Sequence, residues 1–360
     1  MKRVITVSLL TALLFVAGFS FYSGDTKHSS AMPALEQQIA DLDARTPGAL
    51  GVYIKHLGDG RTVHHGDDRS WYLASTIKVP VAIATLQDVD RGRLTLEDTV
   101  SLEETDKVDG PGELVWQDAG TEHAVDELLK DMLQISDSTA TGMLIRRLGE
   151  DELNRRVQRD IAGDGFGTIT SILGVRYALY SEFTPRARQL DNEQIISIAS
   201  VDLSDRRRDA LADTLGLSAD DFAIQTLEQA YENYYATGQN TAKLDAYGEM
   251  LEKLVRGELL EPATAERLYG YMKLDTYEGY RLEAGLDQKI PFAHKTGTQF
   301  ERTCHVGIID PLTPQNAIVV AACVAETDED EAAETLTEVG KLINTLVAES
   351  QPENDAQAMR

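Results

Sequence analysis

Three short groupings in the chain carry side chains able to do covalent chemistry. Ser75-Thr76-Ile77-Lys78 is the only Ser-x-x-Lys in the sequence. At the first turn of a helix, a serine and the residue three positions on share a face, so the lysine amine reaches the hydroxyl and assists its deprotonation. The serine N–H at such a helix start is also free to stabilise an oxyanion. Taken alone, the same four residues also read as an ordinary helix N-cap. Lys295-Thr296-Gly297-Thr298 falls on a predicted strand, where alternate side chains face the same way and the glycine lets a ligand approach the backbone. An edge strand with an incidental lysine would look similar. Ser136-Asp137-Ser138 stands between two helical stretches and, by itself, reads as a helix cap.

The elements that must hold these groupings follow from the spacing of apolar residues. Leu35 to Leu42 reads as a short amphipathic helix, Leu50 to Leu57 as a strand, and Gly58-Asp59-Gly60 as the turn of a hairpin returning through Thr62 to His65. A strand-like stretch from Trp71 to Ala74 hands over to a helix from Thr76 to Val89, which places Ser75 at the junction. Helical spacing then dominates, through Ala124 to Leu133, Ser138 to Leu148 and Leu244 to Val255. Strands return at Phe292 to Thr298, His305 to Ile309 and Ala317 to Val324, before a last helix at Glu331 to Ala348. The acidic run Glu326 to Glu334 suits that helix start. The expected fold is α/β of the α+β kind. An antiparallel sheet is built from both chain ends with flanking helices, and an all-α subdomain is inserted at about 75–257. One large domain is expected over 31–349, with a disordered tail over 350–360.

Composition narrows the class of function. With 360 residues and 42% hydrophobic, the chain can bury a full core. The 60 acidic residues against 34 basic give a net charge of -26, which repels phosphate backbones and excludes nucleic acid as a partner. Met1-Lys2-Arg3 followed by the apolar stretch Val4 to Ala17 has the form of a secretory signal, so residues 1–30 read either as a cleaved leader or as an uncleaved membrane anchor. The expected location is therefore periplasmic or extracellular, and a monomer is expected. Cys304 and Cys323, the only cysteines, are too few for a thiolate metal site; they either pair across a hairpin or remain two buried thiols. No His-x-x-x-His or Cys-x-x-Cys spacing suggests zinc, no Gly-x-Ser-x-Gly elbow suggests a histidine-based triad, and no cofactor is expected.

The three groupings occur in the order Ser-x-x-Lys, Ser-Asp-x and Lys-Thr-Gly, and in this order the sequence resembles the penicillin-recognising serine hydrolases, most of all the class A β-lactamases. The likeness extends from about Leu50 to Leu346. It implies that Ser75 attacks a β-lactam carbonyl to form an acyl-enzyme and that Lys78 takes or relays its proton. Ser136 would pass a proton to the leaving nitrogen, and Lys295 with Thr296 would hold the substrate carboxylate. The N–H groups of Ser75 and Thr298 would form the oxyanion hole, with Gly297 between the substrate-binding residues.

The sequence departs from the family in two places. Ser138 stands where the family normally has Asn, leaving a shorter hydroxyl to meet the substrate side chain. The family's Glu-x-x-Leu-Asn loop, whose glutamate activates water for deacylation, has a near match at Glu150-Asp151-Glu152-Leu153-Asn154. That match follows Ser136 too soon and reads as the acidic first turn of a helix. The stretch Thr170 to Pro185 should hold the loop but is followed by added helical sequence to about Tyr235, and Glu182 is the best substitute there. Arg302 either assists carboxylate binding or forms a surface salt bridge. The substrate is expected to be a small-molecule β-lactam or a cell-wall peptide. The competing functions are a β-lactamase, a DD-peptidase or esterase-like hydrolase, and a penicillin-binding module without turnover.

Overall fold

The computed structural model describes residues 28–66, 68–273, 276–287 and 290–350. Eight helices matter to the site: α1 (His28–Asp43), α2 (Lys78–Asp90), α3 (Val125–Gln134), α4 (Ser138–Leu148), α5 (Ile172–Phe183), α6 (Leu227–Ala236), α7 (Leu244–Val255) and α8 (Glu329–Ser350). The main sheet has five strands, β1 (Ala49–His56), β2 (Thr62–His65), β3 (Phe292–Gln299), β4 (Arg302–Ile309) and β5 (Ile318–Ala325). They lie in the order β2-β1-β5-β4-β3, every pair antiparallel. The sheet is therefore built from both ends of the chain, as the strand pattern predicts.

Helices cover both faces, which is why β4 and β5 are buried along their whole length rather than alternating with solvent. On one face Leu35 and Ile39 of α1 and Leu336 and Ile343 of α8 pack on Ile54 and Val320. On the other, Val81 of α2 and Leu251 of α7 pack on Val306 and Val319. Cys304 and Cys323 face each other across β4 and β5 and are joined in a disulfide, which settles the choice between a bond and two thiols.

A third core belongs to the helices inserted between residues 172 and 236, where Leu179, Phe183, Ile195, Leu211 and Tyr231 pack together and onto Tyr72 and Ala74. The stretch expected to be a loop is helical for a readable reason. Ser171 caps α5 by accepting the Gly174 N–H, and Val175, Leu179 and Phe183 recur at helical spacing and are all buried. Burying such a side chain contributes roughly 1.5–3 kcal/mol.

The strand expected at Trp71 to Ala74 is confined to Trp71–Tyr72, paired with Thr241–Ala242. Ala74 turns to a φ of +47°, which ends the strand and starts the tight turn Ala74–Ile77. No helix among the described residues is long and apolar enough to cross a membrane. The apolar stretch Val4 to Ala17 and the tail 351–360 lie outside the described residues.

Candidate active site

Ser75 lies in the turn that feeds α2, half-buried, directly after Ala74 in its left-handed conformation. A non-glycine residue held there is strained, and such strain persists only where surrounding structure fixes it. Tyr247 of α7 donates its hydroxyl to the Thr76 carbonyl at 2.8 Å, and the Leu73 N–H donates to the Asn240 carbonyl at 2.8 Å. The nucleophile's turn is thus pinned on both sides.

The edge strand β3 passes over this turn at close range. A Cβ on Gly297 would fall 2.5 Å from the Leu73 carbonyl oxygen and 2.9 Å from the Ser75 nitrogen, so only glycine fits. That contact brings Lys295-Thr296-Gly297-Thr298 against Ser75 across more than two hundred residues of chain.

Lys78 is fully buried and donates from Nζ to the Ser136 carbonyl at 2.5 Å and to the Ser136 hydroxyl at 3.0 Å. Ser136 has a φ of +59°, immediately before Asp137 caps α4. The Asp137 carboxylate accepts from the Ala140 N–H at 2.7 Å and the Leu114 N–H at 3.2 Å, which ties α4 to the loop at 108–114. Burial pushes the Lys78 amine down to about 7, against the opposing pull of Asp137. Lys295, also buried, donates to the Thr296 carbonyl at 3.0 Å. Burial, and after it the charges of Lys78, Lys273 and Arg281, hold Lys295 well below the usual lysine range, with Glu278 opposing. The site therefore crowds basic groups in buried surroundings that disfavour their charged forms, and an anionic ligand would restore that charge.

The sequence profile of the β-lactamase enzyme family matches residues 34–347. The chain belongs to that family. A β-lactamase of Rhodobacter capsulatus is 32% identical over 120 residues, 33% of this chain and 40% of that enzyme. One from Streptomyces albus G is 23% identical over 318 residues, 86% of this chain and 83% of that enzyme. The chain thus aligns with less than half the length of the first relative and most of the second. Among solved structures, a point mutant of PBP-A, an acyl-enzyme complex with penicillin G, superposes with a TM-score of 0.64 at 24% identity, over 88% of this chain and 97% of that one. This likeness establishes the mixed helix-and-sheet fold.

Within this β-lactamase-family fold, Ser75, Lys78, Ser136, Lys295 and Gly297 gather at one place. Ser138 is buried at the start of α4, where its hydroxyl lies 2.7 Å from the position a Cβ on Gly110 would take. Glu182 sits in the last turn of α5 and accepts from the Asn233 amide at 3.0 Å. No hydrogen bond among the described residues ties Glu182 to Ser75, Lys78 or Ser136. The near match at 150–154 is the start of a helix, Glu150–Arg156, and Asn154 there holds both backbone groups of Ile169. Arg302 donates to Glu232 at 2.8 Å and lies over the Tyr235 ring, so of its two readings the salt bridge is the one seen.

The sequence reading missed Arg281. Its buried guanidinium donates from Nη1 to the carbonyls of Gly297 and Cys304 and from Nη2 to the Thr298 hydroxyl at 2.7 Å. One signal was available, since Arg281 is the only basic residue in the otherwise acidic stretch from Leu274 to Asp287.

The inserted helices are tied to two of the segments around the site. Arg176 of α5 pairs with Asp109, at 2.9 and 2.6 Å, and reaches the Tyr231 hydroxyl at 3.4 Å. Tyr231 in turn donates to Gln299, at the end of β3, at 2.8 Å. A polar chain thus runs from the loop at 108–114 to the substrate-side strand.

Proposed function

We propose that this protein is a serine hydrolase that takes the acyl group of a β-lactam on Ser75. The observation that carries the reading is the buried Lys78 amine, lowered toward neutrality and hydrogen-bonded to Ser136 in the cleft that joins Ser75 to Lys295. Unprotonated Lys78 takes the Ser75 proton as the oxygen attacks the lactam carbonyl. The N–H groups of Ser75 and Thr298 receive the oxyanion, the second from an edge strand whose outer side has no strand partner among the described residues. The proton then travels from Lys78 through the Ser136 hydroxyl to the lactam nitrogen as the C–N bond breaks. Lys295, Thr296 and Arg281 supply the positive and hydroxyl groups for the substrate carboxylate. Ser138 meets the acyl side chain.

For deacylation, Lys78 is the group placed to activate water, because once the lactam nitrogen has left protonated the amine is again a base. Glu182, bonded to Asn233, is the less favourable choice. Export directed by residues 1–30, as a cleaved leader or an anchor, fits this role, and the disulfide is the kind of bond that persists in an oxidising compartment.

One observation favours a second reading, a penicillin-binding or DD-peptidase-like protein that releases its acyl group slowly. Among the described residues no carboxylate is hydrogen-bonded to Ser75, Lys78 or Ser136, and a mutant of PBP-A, whose fold this chain shares, is held as its acyl-enzyme with penicillin G. Intact mass spectrometry after mixing with benzylpenicillin separates the two. Rapid return to the free mass supports β-lactam hydrolysis, a lasting adduct on Ser75 supports the second reading, and no adduct on Ser75 overturns both.

A further inference from the structure

Glu329, the first residue of α8, carries three hydrogen-bond donors on a single carboxylate oxygen: Arg281 Nη2 at 2.9 Å, the Tyr280 hydroxyl at 2.8 Å and the Thr298 hydroxyl at 3.4 Å. The two members of the ion pair differ in setting. The Arg281 side chain is 1% exposed, whereas Glu329 reaches in from solvent and remains 52% exposed. Arg281 cannot lose its charge on burial, so it requires an anion. Its Nε–H, also buried, has no acceptor among the described residues, so the guanidinium retains an unused donor. The Tyr280 ring covers the guanidinium at 4.7 Å.

The position of this pair relative to the substrate strand gives it meaning. Thr296 and Thr298 lie on the same side of β3, two residues and roughly 7 Å apart. A carboxylate held at Lys295 and Thr296 would lie within reach of the guanidinium that now faces Glu329.

We propose that Glu329 occupies the carboxylate subsite of the free protein as an internal stand-in for the substrate anion, and that a substrate carboxylate must displace it to engage Arg281. The inference rests on the reading of the Ser75 cleft as a site for an anionic acyl donor. Displacement frees the Glu329 side chain to return to water, for which its exposure already provides a path. Glu329 then sets a threshold: ligands with a well-placed carboxylate open the subsite, and neutral ligands leave it closed.

The apparent affinity of a ligand is reduced by the fraction of protein in the competent state, so removing an occupant present about nine-tenths of the time raises affinity about tenfold. The test is calorimetric titration with N-acetyl-D-alanine, which carries a carboxylate but cannot acylate, and with its neutral counterpart N-acetyl-D-alaninamide. Glu329→Gln should bind the acid about tenfold tighter than the parent, and the amide should show no gain. Tyr280→Phe removes one donor from Glu329 and should give a smaller gain for the acid, which covers a failure of Glu329→Gln to fold. An unchanged or weaker affinity for the acid in both variants, or no binding of it to any form, overturns the proposal. Because no covalent step is involved, tighter binding of the acid by a protein that penicillin does not acylate would reject the proposed function and leave the role of Glu329 standing.

Discussion

The Nζ of Lys78 lies 3.0 Å from the Ser136 hydroxyl and 2.5 Å from the Ser136 carbonyl, so one amine joins the two serine-bearing segments of the site. The carbonyl contact is open to either protonation state of the amine, since both have N–H groups to donate. Only the neutral amine has a lone pair to accept a proton.

This fixes the expected pH dependence of acylation. Burial lowers Lys78 to about 7, so the base form is scarce below that pH and predominant above it. The second-order rate of Ser75 acylation should rise with pH through a midpoint near 7 and then level off. Stopped-flow measurement with a chromogenic cephalosporin reads it. Lys78→Ala should lower the rate by about 10²–10⁴-fold and abolish the midpoint.

Asp137 favours the charged form of Lys78, so its removal should act in the opposite sense to a lost base. In Asp137→Asn the midpoint moves to lower pH, because burial is then less opposed. The same change leaves one acceptor where two backbone N–H groups, of Ala140 and Leu114, now find a carboxylate, and it should destabilise the fold by about 1–2 kcal/mol. A pH–rate profile and urea unfolding on one preparation check both effects; an unmoved midpoint would remove Asp137 from the electrostatics of the site.

Much of the site was legible in sequence because its parts are local. Ser75 and Lys78 stand three residues apart where the turn Ala74–Ile77 feeds α2, Asp137 caps the helix it precedes, and Gly297 marks a close backbone approach. Each requires only a few neighbouring residues. The contacts that sequence did not disclose are long-range ones. Arg281 reaches Gly297 and Cys304 through folding that no period or motif encodes. The helices after Pro185 were visible as helical spacing whereas α5 was not, and the bridging of Asp109 to Gln299 through Arg176 and Tyr231 depends on tertiary placement. The boundary at Trp71–Tyr72 failed for the same reason, since the reversal at Ala74 is imposed by what packs around it.

The Arg176–Asp109 pair has side chains only 7% and 13% exposed, so losing one partner leaves a charge uncompensated in the fold. Arg176→Leu should lower unfolding stability by about 3–5 kcal/mol. Replacing both, as Arg176→Leu with Asp109→Leu, should recover most of that loss, because two apolar side chains need no partner. Denaturant unfolding of the three variants forms the cycle. A double variant no more stable than the single would mean that the pair contributes shape rather than charge compensation.

Glu283 offers an acid-sensitive contact behind β3. Its carboxylate accepts from the N–H groups of Glu278 and Gly279 at 2.7 and 2.9 Å and lies 3.3 Å from His294 Nε2. Burial alone would push Glu283 up, but these partners outweigh it and its folded value lies below the ordinary 4.5. A carboxyl depressed on folding stabilises the protein above its unfolded value, and that contribution is lost as pH falls through the folded one. Glu283→Gln should therefore be less stable than the parent at neutral pH, and the gap should narrow below pH about 4.5. Thermal unfolding across pH 3–7, roughly the range over which such a carboxyl changes charge, reads the difference; parallel curves would exclude Glu283 as the source.

The disulfide between Cys304 and Cys323 closes a loop with a sequence separation of 19, and a cross-link of that span stabilises by about 3 kcal/mol through the unfolded chain. The two cysteines are directly paired in the register of β4 and β5, and Cys304 is also paired with Gly297 on β3. Replacing both with alanine should therefore lower the midpoint of urea unfolding while leaving the folded register intact, since the ladder on either side of the pair is buried and complete. Ser75 acylation measured well below the unfolding midpoint should then stay close to the parent rate, because the close approach of Gly297 to the Leu73 carbonyl and the Ser75 nitrogen involves neither sulfur atom. A large fall in acylation at unchanged fold content would show instead that the cross-link sets the position of β3.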